Sequence, residues 1–162
     1  LRYFMVSTKN ETSIDFDIDK VIEKNKDNPV FYCQYAYARA SSVINKSKSF
    51  KEFNNIYSKF NDFNYDSLST YEREIILKLL SWPYLLHQVS QSKQPHKITN
   101  YIEDLSSNFH SFWNRGKNEY NLRMLDKKNE IKTITKLLWI ESFRIVLKKA
   151  FTIIGIEARE HM

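Results

Sequence analysis

The sequence predicts an all-α fold, a helical bundle of about five substantial helices in one domain spanning residues 1–162. Three observations carry that expectation. Only two glycines and three prolines occur among 162 residues, whereas sandwiches and barrels need many turns. Apolar residues recur at helical spacing instead of alternating. Helix punctuation then falls where that periodicity starts and stops. The 42% hydrophobic content suffices for a core, and a chain near this size buries roughly 68–70% of its unfolded surface. Neither disulfide nor metal is needed to stay folded.

The elements follow in order. Leu1 to Val6 reads as the end of a helix that starts before the first residue. Ser7 to Phe16 is polar and irregular, a loop. Asp17 or Asp19 can cap a short helix to about Asn25, because a carboxylate there accepts unpaired N–H groups. Asn28-Pro29 opens a helix to about Lys46: Asn caps well, and Pro is tolerated at the first helical position. Ser49 starts another, ending near Phe60, and 61–69 is a loop. Ser69 with Glu72 three residues on forms a capping-box pattern. The long helix that follows holds Pro83, which should kink it, and breaks around Lys93-Gln94-Pro95. Pro95 begins a helix that reaches Trp113 and stops before Gly116. A charged connection covers 117–128. The last helix runs from about Asn129 to Ile154, with Gly155 in the C′ position.

Charge and aromatic content narrow the partners. The net charge is +6, and aromatic residues make up 15% of the chain. That balance favours polyanions, nucleic acid first and an anionic membrane second. One cysteine, Cys33, excludes an intramolecular disulfide and fits a reducing compartment such as the cytoplasm. No apolar run approaches the roughly 18 residues that span a bilayer. The first residue is Leu1, not Met, so the chain reads as a fragment of a longer protein.

Catalytic patterns are missing. His87, His96, His110 and His161 have no partners at metal-ligand spacing, so neither a metal site nor catalytic residues are expected. No glycine-rich phosphate loop is present. Asp15 and Asp17 read as helix-capping carboxylates, and Cys33 as a buried small hydrophobe.

The helix from Asn28 to Lys46 says more. Val30, Cys33, Tyr37, Ala40 and Ile44 lie on one face at 3-4-3-4 spacing, a core stripe. Tyr32, Tyr35 and Arg39 lie on another face, where two rings and a guanidinium could form a stacking platform; stacking contributes about 1–3 kcal/mol per base. Spacing alone favours the plainer reading, in which the tyrosines pack on a neighbouring helix and Arg39 makes an ion pair. Phe109 and Phe112 point to the core, while Trp113, next to Asn114-Arg115-Gly116-Lys117, suits a second stacking site. From Arg115 to Lys149 there are ten Lys or Arg against four Asp or Glu. Arg115, Lys117, Lys132 and Lys136 are the candidate phosphate contacts, against the alternative of a solvated polar face.

These segments resemble one family. Leu1-Arg2-Tyr3-Phe4 is similar to the tail of the Asp-Ala-Leu-Arg motif that names the DALR anticodon-binding domain. Asp27-Asn28-Pro29-Val30-Phe31-Tyr32-Cys33-Gln34-Tyr35-Ala36-Tyr37-Ala38-Arg39 resembles the "DNPVYYVQYAHAR" segment of arginyl-tRNA synthetases. Tyr101 to Trp113 resembles "YLYDLA…FHSFY", and the end of the chain resembles "LGLLGISAPERM". The likeness runs through the whole chain in order.

The resemblance implies an all-α domain that follows a Rossmann-type catalytic domain and reads the anticodon of arginine tRNA. All arginine codons carry a middle G, so one pocket for the complementary C serves every isoacceptor. By position, Tyr35 and Arg39 match anticodon-pocket residues, Tyr32 lies beside them, and Met162 matches the terminal Met. Trp113 stands where Tyr is usual, keeping a ring and losing a hydroxyl. Arg159 replaces a usual Pro, and His161 a usual Arg. The parent enzyme would join arginine to tRNA with ATP and Mg²⁺, both held in its catalytic domain. Its HIGH-like and KMSKS-like signatures do not occur here, so this chain by itself should be non-catalytic. The resemblance also implies a monomer whose partners are the anticodon stem-loop of tRNA-Arg and the parent's catalytic domain, with no DNA or membrane partner. The alternatives are the DALR domain of another synthetase, such as the cysteinyl enzyme, and a helical interaction module.

Overall fold

The computed structural model describes residues 1–9, 12, 17, 18, 22, 23, 25, 27–53 and 55–162. Among them there is no strand, as the scarcity of turn residues predicts. Asp15, Asp19, most of the loop before them and parts of the expected short helix lie outside the described residues. The main elements are α1 (Arg2–Ser7), α2 (Pro29–Ser47), α3 (Thr70–Ser92), α4 (His96–Asn118) and α5 (Glu130–Ile153).

Local chemistry sets most of these bounds. The Asn28 side chain accepts from the Val30 and Phe31 amides and starts α2 with Pro29 in its first turn. At α3 the capping box closes as predicted: the Glu72 carboxylate accepts the Ser69 amide at 2.8 Å while the Ser69 hydroxyl accepts the Glu72 amide. The helix continues through Pro83 and ends at Lys93, which sits in the left-handed region at φ 52°. At the end of α5, Gly155 adopts φ +70°. The Ile156 amide there donates to the Phe151 carbonyl and the Gly155 amide to that of Thr152. That is the Schellman arrangement, in which glycine carries no Cβ penalty.

Two segments differ from the sequence reading. Residues 49–60 do not form an α-helix; they fold as 3-10 turns over Lys51–Phe53 and Ile56–Asp62. Ser and Asn side chains compete for nearby backbone groups: the Ser49 hydroxyl donates to Lys46 O, the Ser58 hydroxyl to Asn55 O, and Asn55 has left helical geometry at φ −132°, ψ 85°. The second difference is Gly116, which does not stop α4, because the helix runs on to Asn118. Its role is close approach. A Cβ there would lie 2.9 Å from the Leu122 carbonyl oxygen, so only glycine lets residues 119–125 pack against the helix.

The core lies where α2, α4 and α5 meet. Phe109 of α4 stacks on Phe143 of α5 with centroids 4.5 Å apart, and Phe112 meets Trp139 edge-on at 5.4 Å. Cys33, Tyr37, Ala40 and Ile44 are buried there, which is the stripe expected for α2. Cys33 is fully buried as a small hydrophobe, and burial pushes its thiol up to about 12. Helix α3 covers α4, with Trp82 against Tyr101 at 5.3 Å and the Tyr101 hydroxyl donating to Lys78 O. Tyr3 of α1 is buried and donates to Glu103 of α4 at 2.5 Å. Packing α2 beside α4 brings their flanking faces together in one seam.

Candidate nucleic-acid interface

The seam between α2 and α4 holds the predicted platform. On α2, Tyr32, Tyr35 and Arg39 project from one face and are half-buried. On α4, His110 and Trp113 stand one turn apart and meet them. The Arg39 guanidinium carbon lies 4.0 Å from the Tyr35 ring centroid and 5.2 Å from that of Trp113. Two aromatic faces thus share one cation, each such contact being worth about 0.5–2 kcal/mol depending on desolvation. Arg39 Nη2 donates to the Tyr35 hydroxyl at 3.0 Å, and Nη1 lies 3.0 Å from His110 Nδ1.

That last contact fixes the histidine. A guanidinium can only donate, so His110 Nδ1 must accept and the proton sits on Nε2, which lies 3.1 Å from the Tyr32 carbonyl and donates to it. The ring is therefore neutral. Burial holds the His110 pKa below its ordinary value, the Tyr32 carbonyl works against that shift, and the Arg39 charge adds to it. The same ring packs against Tyr32 at 4.4 Å and Tyr35 at 5.8 Å. His110 thus holds the platform together from beneath, while Arg39 makes no ion pair among the described residues. The tyrosines do pack on a neighbouring helix, as the plainer reading had it, but the ion pair it assigned to Arg39 is not formed with any described residue.

The other predicted residues are placed as follows. Met162 is exposed at the end of the chain and lines one cavity with Phe31. Phe31 stacks on Tyr35 at 6.2 Å, so the tail borders the platform. The tail is held there by the Gln34 amide donating to Glu157 O at 2.9 Å and by Arg144 pairing with Glu160 at 3.1 Å. Lys117 lies one turn beyond Trp113, and the two line a shared groove. Arg115 instead stacks on Tyr71 of α3 at 4.2 Å and pairs with Glu119 at 3.8 Å. Lys132 sits in the first turn of α5, is half-buried, and does not line the groove that Trp113 and Lys117 share.

Lys136 is a correction. It is buried, and its ammonium donates to Asn121 O at 2.8 Å and Arg123 O at 2.6 Å. Burial pushes its pKa down to about 8. A cation enclosed in this way cannot meet a phosphate; it ties the 119–125 segment to α5. Counting charges on a helix does not separate a surface lysine from one whose stem is buried.

The sequence reading missed His110 and Phe31 as site residues. Both had a signal in spacing: His110 precedes Trp113 by three residues and Phe31 precedes Tyr35 by four, each on the same helix face. Among the described residues, no three His, Cys, Asp or Glu side chains cluster as metal ligands, and no helix is long and apolar enough to cross a membrane.

Comparison with known proteins follows the same line. Residues 33–162 match the family model of the DALR anticodon binding domain. The whole chain is 36% identical over 163 residues to an arginine–tRNA ligase of Rhizobium leguminosarum and 33% identical over 166 residues to that of Xanthobacter autotrophicus. It spans 28% of the length of each. Among solved structures, an arginyl-tRNA synthetase of Campylobacter jejuni superposes with a TM-score of 0.80 at 27% identity, over 99% of this chain and 32% of the other. That of Thermus thermophilus superposes with a TM-score of 0.72 at 21% identity, over 99% and 26%, a likeness of fold.

Proposed function

We propose that this chain, which belongs to the DALR anticodon-binding domain family, is the part of an arginine–tRNA ligase that binds the anticodon stem-loop of tRNA-Arg. One observation carries the reading. Arg39 is held between the Tyr35 and Trp113 rings, 4.0 and 5.2 Å from their centroids, with its hydrogen-bonding edge fixed by neutral groups. Because no carboxylate neutralises it among the described residues, it remains a planar donor for a base edge or phosphate. The flanking rings offer faces on which an unstacked loop base can lie. Tyr32, Tyr35, Arg39 and Trp113 are the proposed base-binding set, Met162 borders it, and Lys117 is the proposed phosphate contact nearest to it; Arg115 and Lys132 do not line the groove that Lys117 shares with Trp113. In this reading ATP and Mg²⁺ belong to the parent's catalytic domain, the protein is a cytoplasmic monomer, and the chain's own residues bind and orient RNA without doing chemistry.

The test is a fluorescence titration of arginine tRNA. Arg39→Ala should weaken binding by about 1–3 kcal/mol, the usual cost of losing a base-contacting arginine. Replacing the middle anticodon C by G should weaken the wild type by a similar factor and matter less to the variant. Unchanged affinity in Arg39→Ala, with circular dichroism intact, would remove the platform from the site.

A further inference from the structure

The platform does not end at Trp113. On α2 the face of Tyr35 and Arg39 continues at 3-4 spacing through Ser42 to Lys46, and on α4 the face of His110 and Trp113 continues to Lys117. The contacts advance in step: Tyr32 meets His110, Arg39 meets His110 and Trp113, and residues 42–46 face 113–117 across one groove. By helical rise, Lys46 lies about 10 Å beyond Arg39. The groove has a volume of about 420 Å³, and residues 122–125 close its far wall.

Its lining is two-sided. Trp113, Val43 and Met124 give an apolar floor, while Lys46, Lys117 and Arg123 stand around it and no carboxylate among the described residues lines it. All three cations are exposed, and none makes an ion pair among the described residues. Arg123 rests on the Tyr120 ring at 4.8 Å. The wall that carries it is fixed twice: Lys136 donates to the Arg123 carbonyl at 2.6 Å, and Gly116 lets Leu122 O come within 2.9 Å of where a Cβ would be. A ring floor with unneutralised cations at its rim, continuous with a stacking platform, has the chemistry of a site for single-stranded nucleic acid.

We propose that this groove is a second nucleotide subsite, which takes a single-stranded RNA nucleotide next to the one on the platform: its base on Trp113, its phosphates against Lys46, Lys117 and Arg123. The inference rests on the RNA-binding reading above, and it assigns Lys136 as a positioning residue for Arg123.

The test measures affinity for the anticodon stem-loop of arginine tRNA across a salt series. The proteins are wild type, K46Q/K117Q/R123Q, R39A, and the control K9Q/K148Q/K149Q, which loses the same charge from exposed lysines outside the groove. Each single-strand phosphate contact contributes about 0.7 to the slope of log Kd on log salt, so the groove variant should flatten that slope by about 2 while the control keeps it. An unchanged slope in the groove variant, or an equal change in the control, overturns the subsite. If R39A then still weakens binding, the platform reading stands without the groove; if R39A and the groove variant both bind like wild type, both readings fall. The lysines and Arg123 are exposed side chains, and matched circular dichroism checks the fold of every variant, the half-buried Arg39 included.

Discussion

At the scale of single residues, the platform depends on His110 being neutral. Its Nδ1 accepts from Arg39 and its Nε2 donates to the Tyr32 carbonyl; protonation would turn the first contact into two donors facing each other, next to a full positive charge. The His110 pKa is depressed in the fold. The folded state therefore binds this proton less readily than the unfolded one, and stability is lost as pH falls below the unfolded value of about 6.5. We expect urea midpoints to drop between pH 6.5 and 5, and the drop to shrink in His110→Gln, which keeps a donor near the Nε2 position. An identical acid slope in the variant would mean that some other group dominates this range. The arrangement was partly legible in the sequence. The face of Tyr32, Tyr35 and Arg39 follows from spacing within one helix, but His110 lies 71 residues from Arg39, and no local periodicity predicts which side chain of another helix will arrive beneath it.

At the scale of elements, the boundaries read correctly were those set by short-range chemistry. The capping box at Ser69 and Glu72, the Asn28 cap and the turn at Gly155 each depend on three to six neighbouring residues, all visible in the sequence. The misread boundaries depend on distant partners. Gly116 resembles a helix stop until Leu122 O packs against it, and residues 49–60 have enough apolar content for an α-helix but too much Ser and Asn to propagate one. Glu72 does double duty: besides capping, its other carboxylate oxygen accepts from Trp139 Nε1 of α5 at 3.3 Å, which links the start of α3 to the core. This separates two substitutions. Ser69→Ala should cost about 1 kcal/mol, an ordinary N-cap loss. Glu72→Ala should cost more, because it also leaves a buried indole N–H without an acceptor. Thermal or chemical denaturation of both variants checks the order, and a Ser69→Ala cost equal to or above that of Glu72→Ala would show that the Trp139 link adds nothing.

At the scale of the whole molecule, the buried titratable groups set opposing slopes of stability against pH. Lys136 has a folded pKa of about 8 against 10.5 when free, so between those values the unfolded chain holds a proton that the folded one has released, and stability rises with pH. Cys33 behaves in the opposite way. Its folded pKa is about 12 against 9.0, so the folded chain keeps a proton that the unfolded one loses, and stability falls above about pH 9. The hydroxyl of Tyr3, raised by burial and by the Glu103 carboxylate among other causes, steepens the fall above pH 10. The sum rises from about pH 8, levels off between about pH 9 and 10 where the Lys136 and Cys33 slopes offset each other, and falls above pH 10, so the maximum lies on the alkaline side of the usual range of about pH 5 to 8. Lys136→Met removes the rising arm and leaves the falling one. Its denaturation midpoint should therefore be flat from pH 7 to 9 and then fall, so that the gap between wild type and variant changes in favour of wild type as pH passes 8. A gap that stays constant from pH 7 to 9.5 would mean that the Lys136 ammonium titrates at its ordinary value, its two carbonyl partners compensating in full for its burial.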